Sequence, residues 1–296
     1  MEKEYWLVVI SGIFSGFVVF GAGILAELGF SFYQISVLPS LFTIVLLFPF
    51  VVFRKECRIR NEMVKLYVFY GLISAFLAFS QWLPIFLGTP ISIIVLLLYT
   101  QPLWTVILSK FLMKEKLTKL KILSMIIVLL GVVFIVNPLN IQKIGSFTGV
   151  ILSLLGGFSL SLWVILGRVA GKKEYNPITT KFSNILFYVI FMLIFYPIVS
   201  IFIKDASIIN LSLNFPIIFW LYFLIFEILA GLIPHISYYI GVKKVTASDA
   251  GIILLLEPVS AAILAAIFLG QTIASNVIIG GFLILIANYL AIKERS

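Results

Sequence analysis

The chain has 296 residues, 62% hydrophobic and only 11% charged, with a formal net charge of +9 and a mean hydropathy of +1.20. Soluble domains are nearer half apolar and a quarter charged, so this composition excludes a water-soluble globular protein and places the chain in a bilayer. The single cysteine, Cys57, excludes an intramolecular disulfide.

Apolar runs of spanning length predict ten transmembrane helices over residues 5–26, 31–53, 63–87, 90–112, 119–137, 147–169, 179–203, 215–241, 246–269 and 273–292. Glu2, Lys3 and Glu4 do not form a basic leader and no A-x-A site follows, so the first run is expected to stay as a span. It carries Gly12 and Gly16, a spacing that lets helices approach closely, with Trp6 as an interfacial anchor and a solvated Glu27 at its far end. With the N-terminus in the cytoplasm and sides alternating, all but Lys143 and Lys204 of the 21 Lys and Arg residues fall in cytoplasmic loops or tails. This asymmetry predicts a multi-pass protein of the cell (plasma or inner) membrane with both termini cytoplasmic. It also excludes a nucleic-acid partner, because the charge is spread over membrane-flanking loops.

The third span contains Gln81 and Trp82. The fourth contains Leu98-Tyr99-Thr100-Gln101-Pro102-Leu103-Trp104, and the sixth contains Trp163 and Gly156-Gly157. Aromatic faces in such positions can enclose an apolar group and attract a cationic amine. The eighth span holds Glu227 at its centre and His235, the only histidine, nearer its cytoplasmic end. Eight residues of ideal helix separate them by about 12 Å of rise and roughly 80° of rotation, which excludes a direct pair. Glu227 therefore needs a partner from another helix or from cavity water. In the ninth span Asp249 follows a helix start, where an acid complements the helix dipole. Further on, Leu254-Leu255-Leu256-Glu257-Pro258 sets a carboxylate beside a proline in unbroken apolar sequence. The acid is costly in hydrocarbon and Pro258 deprives the carbonyl of Leu254 of its usual helical partner, so both need a structural or functional reason.

Glu257-Pro258 matches Gln101-Pro102, and the tight connection between spans three and four matches that between spans eight and nine. The chain is thus expected to contain one unit twice, residues 1–137 and 147–296. Five spans per copy is an odd number, so the second copy is inverted relative to the first. Inverted repeats with interrupted helices meeting near the midplane form carrier sites at the repeat interface. The fold class expected is an all-α polytopic membrane protein of ten transmembrane helices, two inverted five-helix repeats around a central cavity.

The order of these features, with Lys114-Glu115-Lys116-Leu117-Thr118 after the first broken helix and Gly270-Gln271 after the second, resembles the EamA-type repeat of the drug/metabolite transporter superfamily. The resemblance covers nearly the whole chain and implies a ten-helix secondary carrier of small metabolites; it favours export. The repeat usually ends this helix in Gly-Glu, which the second copy replaces by Gly270-Gln271.

Substrate-binding or coupling candidates are Glu257, Glu227, Gln101, His235, Gln81, Tyr99 and Trp163, with Pro102 and Pro258 as helix breaks. Each has a bland alternative: Glu257 as a cap for a freed carbonyl, His235 as a packed hydrogen-bonding side chain, the rings as core. The mixture of buried acids, one histidine and many rings suits a small amphipathic solute bearing an amine, such as an amino acid, moved by alternating access with a proton as the possible coupling ion. No P-loop, zinc-protease or serine-hydrolase motif and no metal-spaced Cys/His cluster occurs, so no enzyme activity, cofactor or metal is expected. An uncoupled facilitator, a lipid-translocating protein and a non-transporting scaffold remain as alternatives. Substrate identity and oligomeric state stay open.

Overall fold

The computed structural model describes residues 3–137, 139, 146–270 and 272–293. Glu2, Lys143, Gln271 and Arg295, used above in the charge and repeat comparisons, lie outside the described residues. Among the described residues, ten helices are long and apolar enough to cross a membrane. They comprise α1 (Lys3–Glu27), α2 (Phe32–Phe53), α3 (Asn61–Phe86), α4 and α5 (Ile91–Leu98, Gln101–Met113), α6 (Lys119–Val136), α7 (Phe147–Lys172) and α8 (Pro177–Phe202). A short helix, α9 (Ala206–Ile209), lies in the loop after α8. The eighth span is α10 (Ile218–Phe226) and α11 (Ile233–Gly241) joined by a π-helical turn, Glu227–Leu232. The ninth is α12 and α13 (Ala247–Ile253, Leu256–Leu269), and the tenth is α14 (Ser275–Lys293).

The packing repeats when the halves are exchanged. Helix α3 lies on α7 as α11 lies on α1, and α4 and α5 lie on α7 as α12 and α13 lie on α1. Two pairings map onto themselves, α2 with α8 and α6 with α14, and the two broken spans meet through α5 and α12. This is the signature of two inverted five-helix repeats enclosing a central space.

Glycines decide how closely the halves meet. A Cβ on Gly12 would lie 2.8 Å from the carbonyl oxygen of Ile253, and one on Gly157 would lie 2.7 Å from that of Leu97. The first helix of each repeat therefore rests on the backbone of the other repeat's broken span, a contact only the smallest side chain permits.

Both breaks fall where the sequence places its prolines. The fourth span turns at Tyr99-Thr100 and the ninth at Leu254-Leu255, so Pro102 and Pro258 enter the first turn of α5 and α13. There a proline's missing N–H belongs to a group without a helical partner in any case. The expected need for a partner at Leu254 is met locally: its carbonyl accepts the backbone N–H of Glu257 at 3.0 Å. The Glu257 side chain is thus released from the capping role that was its bland alternative.

Three cations near span ends, counted above to the cytoplasmic side, are buried within helices: Lys121, Arg168 and Lys181. Lys121 pairs with Asp249 at 3.0 Å, and Asp249 also accepts from the Tyr5 hydroxyl. Asp249 is therefore a buried ion-pair partner and does more than complement a dipole. Arg168 donates to the carbonyls of Val242 and Lys243 at the end of the eighth span. Setting the three aside leaves the loop asymmetry pointing the same way. Trp6 is exposed as an anchor would be, whereas Trp220 packs among Phe42, Phe215 and Phe223.

Candidate functional site

A central cavity lies between the repeats and has two lobes, of ≈ 190 and ≈ 130 Å³, that meet at Val18, Leu77, Gln81, Trp163 and His235. Helices α6 and α14 pack on each other through Gly131 and Gly280 and contribute nothing to its walls. All seven substrate or coupling candidates face this space. Gln81, Trp163 and His235 stand at the junction, Glu227 lines the larger lobe, and Tyr99, Gln101 and Glu257 line the smaller one.

The smaller lobe is built by the two broken helices. The break at Tyr99-Thr100 places the Tyr99 hydroxyl beside the Glu257 carboxylate at the wall of the lobe. Gln101 is buried against Gly251 of α12 and its amide donates to Thr105 Oγ1 at 2.5 Å. The two positions equated by the repeat thus line one lobe: a carboxylate from the second copy and an amide from the first. Ser11 and Ser15 of α1 complete a polar rim. A carboxylate with a phenol beside it and cavity space in front of it can accept hydrogen bonds from a ligand ammonium group.

The larger lobe contains what the sequence did not reveal. Lys181 of α8 points into it, 3.5 Å from Glu227 Oε1 and 2.9 Å from His235 Nδ1. Glu227 also accepts a hydrogen bond from Thr43 of α2. The partner expected from another helix therefore exists, and it is a lysine. The helix between Glu227 and His235 is not ideal: its π turn changes their angular relation, and Lys181 contacts both. The Glu227 carboxylate folds back over Gly231, where a Cβ would lie 2.1 Å from Oε1. Such single π turns frequently mark functional sites. Asn184, one turn beyond Lys181, donates to Ser74 Oγ at 2.8 Å, and Tyr188 donates to the carbonyl of Ser36.

One sequence signal could have placed Lys181 correctly. Asn176-Pro177 is a helix start, with the Asn176 side chain capping Ile178 N. Lys181 therefore lies in the second turn of that helix, further from the loop than the expected start at residue 179 places it.

An aromatic wall backs the junction. The Trp163 ring lies 5.2 Å from His235, 4.9 Å from Tyr238 and 5.7 Å from Tyr70. Tyr238 donates to the carbonyl of Val164, and the Tyr239 hydroxyl to that of Tyr70. These buried tyrosines back the Trp163 ring, which is the one of the four that lines the cavity.

Residues 2–137 and 147–293 each match the EamA-like transporter family. The chain belongs to that family. It is thereby a multi-pass membrane transporter, whose substrate is a small molecule and whose surroundings are the lipid bilayer. A transporter of Clostridium kluyveri described as uncharacterized is 25% identical over 311 residues, covering 100% of this chain and 96% of the relative. Another of the same description, from Archaeoglobus fulgidus, is 29% identical over 66% of this chain and 65% of its own length. A solved crystal structure shares the EamA-like fold with a TM-score of 0.72 at 16% identity, over 96% of this chain and 98% of that one.

Proposed function

We propose that this EamA-like transporter is a secondary-active exporter of small amphipathic metabolites bearing an amine, amino acids or related amines, working by alternating access. It would operate in the cell membrane with both termini cytoplasmic, the orientation favoured by the basic loops. Glu257 is the group we assign to the substrate ammonium or to a coupling proton, with Tyr99 holding its carboxylate and Gln101, Gln81 and Trp163 completing the pocket. The observation that carries this reading is the meeting of two broken helices at one lobe where a carboxylate faces open space. A carboxylate at that depth is stable only with a partner, and an amine supplies one. The matching symmetry of the breaks supports rocking of one repeat against the other around that lobe.

A lipid-translocating reading is less well supported. The groove of ≈ 320 Å³ beside α1 and the eighth span, lined by Phe17, Phe20, Tyr222, Phe226 and Phe268, carries no charged side chain to guide a headgroup.

The test is reconstitution in liposomes with a panel of amino acids, amines and sugar phosphates at several pH gradients, comparing the native protein with Glu257→Gln. Gradient-driven flux of amine-bearing solutes that falls at least about tenfold in the variant supports the assignment, a loss equivalent to about 1.4 kcal/mol of binding. Undiminished flux in Glu257→Gln removes Glu257 from the mechanism, and flux confined to sugar phosphates overturns the amine class.

A further inference from the structure

We propose that Lys181, Glu227 and His235 form a proton-exchange site on the larger lobe, distinct from Glu257 of the smaller lobe, with His235 standing where the two lobes meet. The inference rests on the carrier reading above but concerns a different set of atoms. His235 Nδ1 lies 2.9 Å from Lys181 Nζ and 2.6 Å from the carbonyl oxygen of Gly231. These neighbours make opposite demands. The carbonyl can only accept, so it calls for a proton on Nδ1; a lysine ammonium can only donate, so it calls for a bare Nδ1. One nitrogen cannot satisfy both at once, and the site therefore has two protonation patterns of comparable hydrogen bonding.

The patterns are connected by one proton. In the first, Lys181 is neutral and His235 carries its hydrogen on Nδ1, directed at the Gly231 carbonyl, while Nε2 has a lone pair towards the cavity. A proton arriving from the cavity forms an Nε2–H bond and gives an imidazolium. The Nδ1–H bond then breaks as an Nζ–H bond forms, leaving a neutral imidazole protonated on Nε2 and a lysine ammonium. That ammonium donates to Nδ1 and faces Glu227 at 3.5 Å. Loading thus converts a lone carboxylate, held by Thr43, into an ion pair of no net charge. Burial makes that change consequential, because an unpaired carboxylate and a paired one differ greatly in cost away from water.

The surroundings add no competing charge. The titratable groups around the cluster are Tyr188 of α8, which lines the same lobe, and Tyr239 of α11, whose ring lies 6.5 Å from the imidazole and whose hydroxyl donates to the Tyr70 hydroxyl of α3; α2 contributes only hydroxyls, and α7 contributes the Trp163 ring. Glu257 lines the smaller lobe, which His235 also borders at the junction. The π turn is what brings the Gly231 carbonyl, the carboxylate and the imidazole to one lysine, and this cluster explains its presence.

Trp163, 5.2 Å from the imidazole, supplies a readout that needs no substrate. In a protein with Trp6, Trp82, Trp104 and Trp220 replaced by phenylalanine, Trp163 emission is followed across roughly pH 5 to 10, the span over which histidine and a buried lysine exchange protons. A reversible transition is expected, lost in His235→Asn. In Lys181→Arg the amplitude in that range should fall at least about fivefold, since a guanidinium keeps the pair with Glu227 but does not release its proton. Lys181→Arg should also melt close to the native protein, whereas Lys181→Met, which strands Glu227, should not. A flat native profile, or an unchanged transition in Lys181→Arg, overturns the proposal. A titrating site in a protein that carries no solute of the panel would instead count against the carrier reading and leave the proton site standing.

Discussion

Glu257 and Glu227 are both acids in mid-span, yet their neighbours assign them different work. Glu227 is buried and surrounded by fixed protein partners, Lys181 and Thr43. Glu257 is only partly buried, with the Tyr99 hydroxyl beside it and the smaller lobe in front. The first arrangement suits a group whose charge must be balanced within the protein; the second suits one that meets a ligand. Tyr99→Phe should leave expression and folding intact, because the ring still fills its place. The hydroxyl stands where it can donate to the carboxylate, and a hydrogen bond to a charged group is worth about 1.5–3 kcal/mol, so on the proposed reading half-saturation for the best amine of the panel should rise at least about tenfold. Unaltered saturation behaviour would show that the hydroxyl does not orient the carboxylate during binding.

At the scale of elements, the broken spans are held open by contacts outside themselves. Gly12 and Gly157 admit the backbone of the other repeat's break. Glu115, at the end of the fourth span, accepts the backbone N–H groups of Ala247 and Ser248 at the start of α12. Lys121 of α6 binds Asp249 in the same turn and donates to Thr246 and Ser248. The first copy therefore caps and charges the half-helix that leads to Glu257. Removing one side of a buried pair leaves an uncompensated charge at a cost of about 3–5 kcal/mol, whereas removing both is much less harmful. Lys121→Met should accordingly lower the melting temperature of the purified protein sharply, and Lys121→Met with Asp249→Asn should recover most of the loss. A double variant as unstable as the sum of the single ones would mean that the pair is not coupled.

For the whole molecule, the uneven loop charge is what supports the proposed orientation. Cys57 is buried, its carbonyl is held by the Thr179 hydroxyl, and burial pushes its thiol above the usual cysteine range. Little background labelling is therefore expected from it, since the thiolate is the reactive form. Asn214 lies exposed in the loop between the seventh and eighth spans, and Lys55 lies exposed between the second and third. With Cys57 changed to serine, a membrane-impermeant maleimide applied to intact cells should label Asn214→Cys and spare Lys55→Cys until the cells are opened. The opposite pattern would invert the orientation and with it the direction assigned to transport.

The ten spans, their boundaries, the repeat and its two proline breaks follow from the sequence alone. Each depends on properties that run along the chain: the length of an apolar stretch, the rarity of acids within it, and the tally of cations between stretches. The choice of Gln81, Tyr99, Gln101, Trp163, Glu227, His235 and Glu257 came from the same source, because polar and aromatic residues deep in an apolar run stand out without coordinates. Tertiary structure alone decided which of them meet and what completes them. A lysine near the end of a span ordinarily reaches back to the interface, so Lys181 gave no sign of turning inward. Its direction is set by the packing of α8 against α2, α3 and α11. The π turn, the local partner for the Leu254 carbonyl and the pairing of Lys121 with Asp249 are likewise settled between helices. There, bringing distant charges together away from water costs less than leaving each alone.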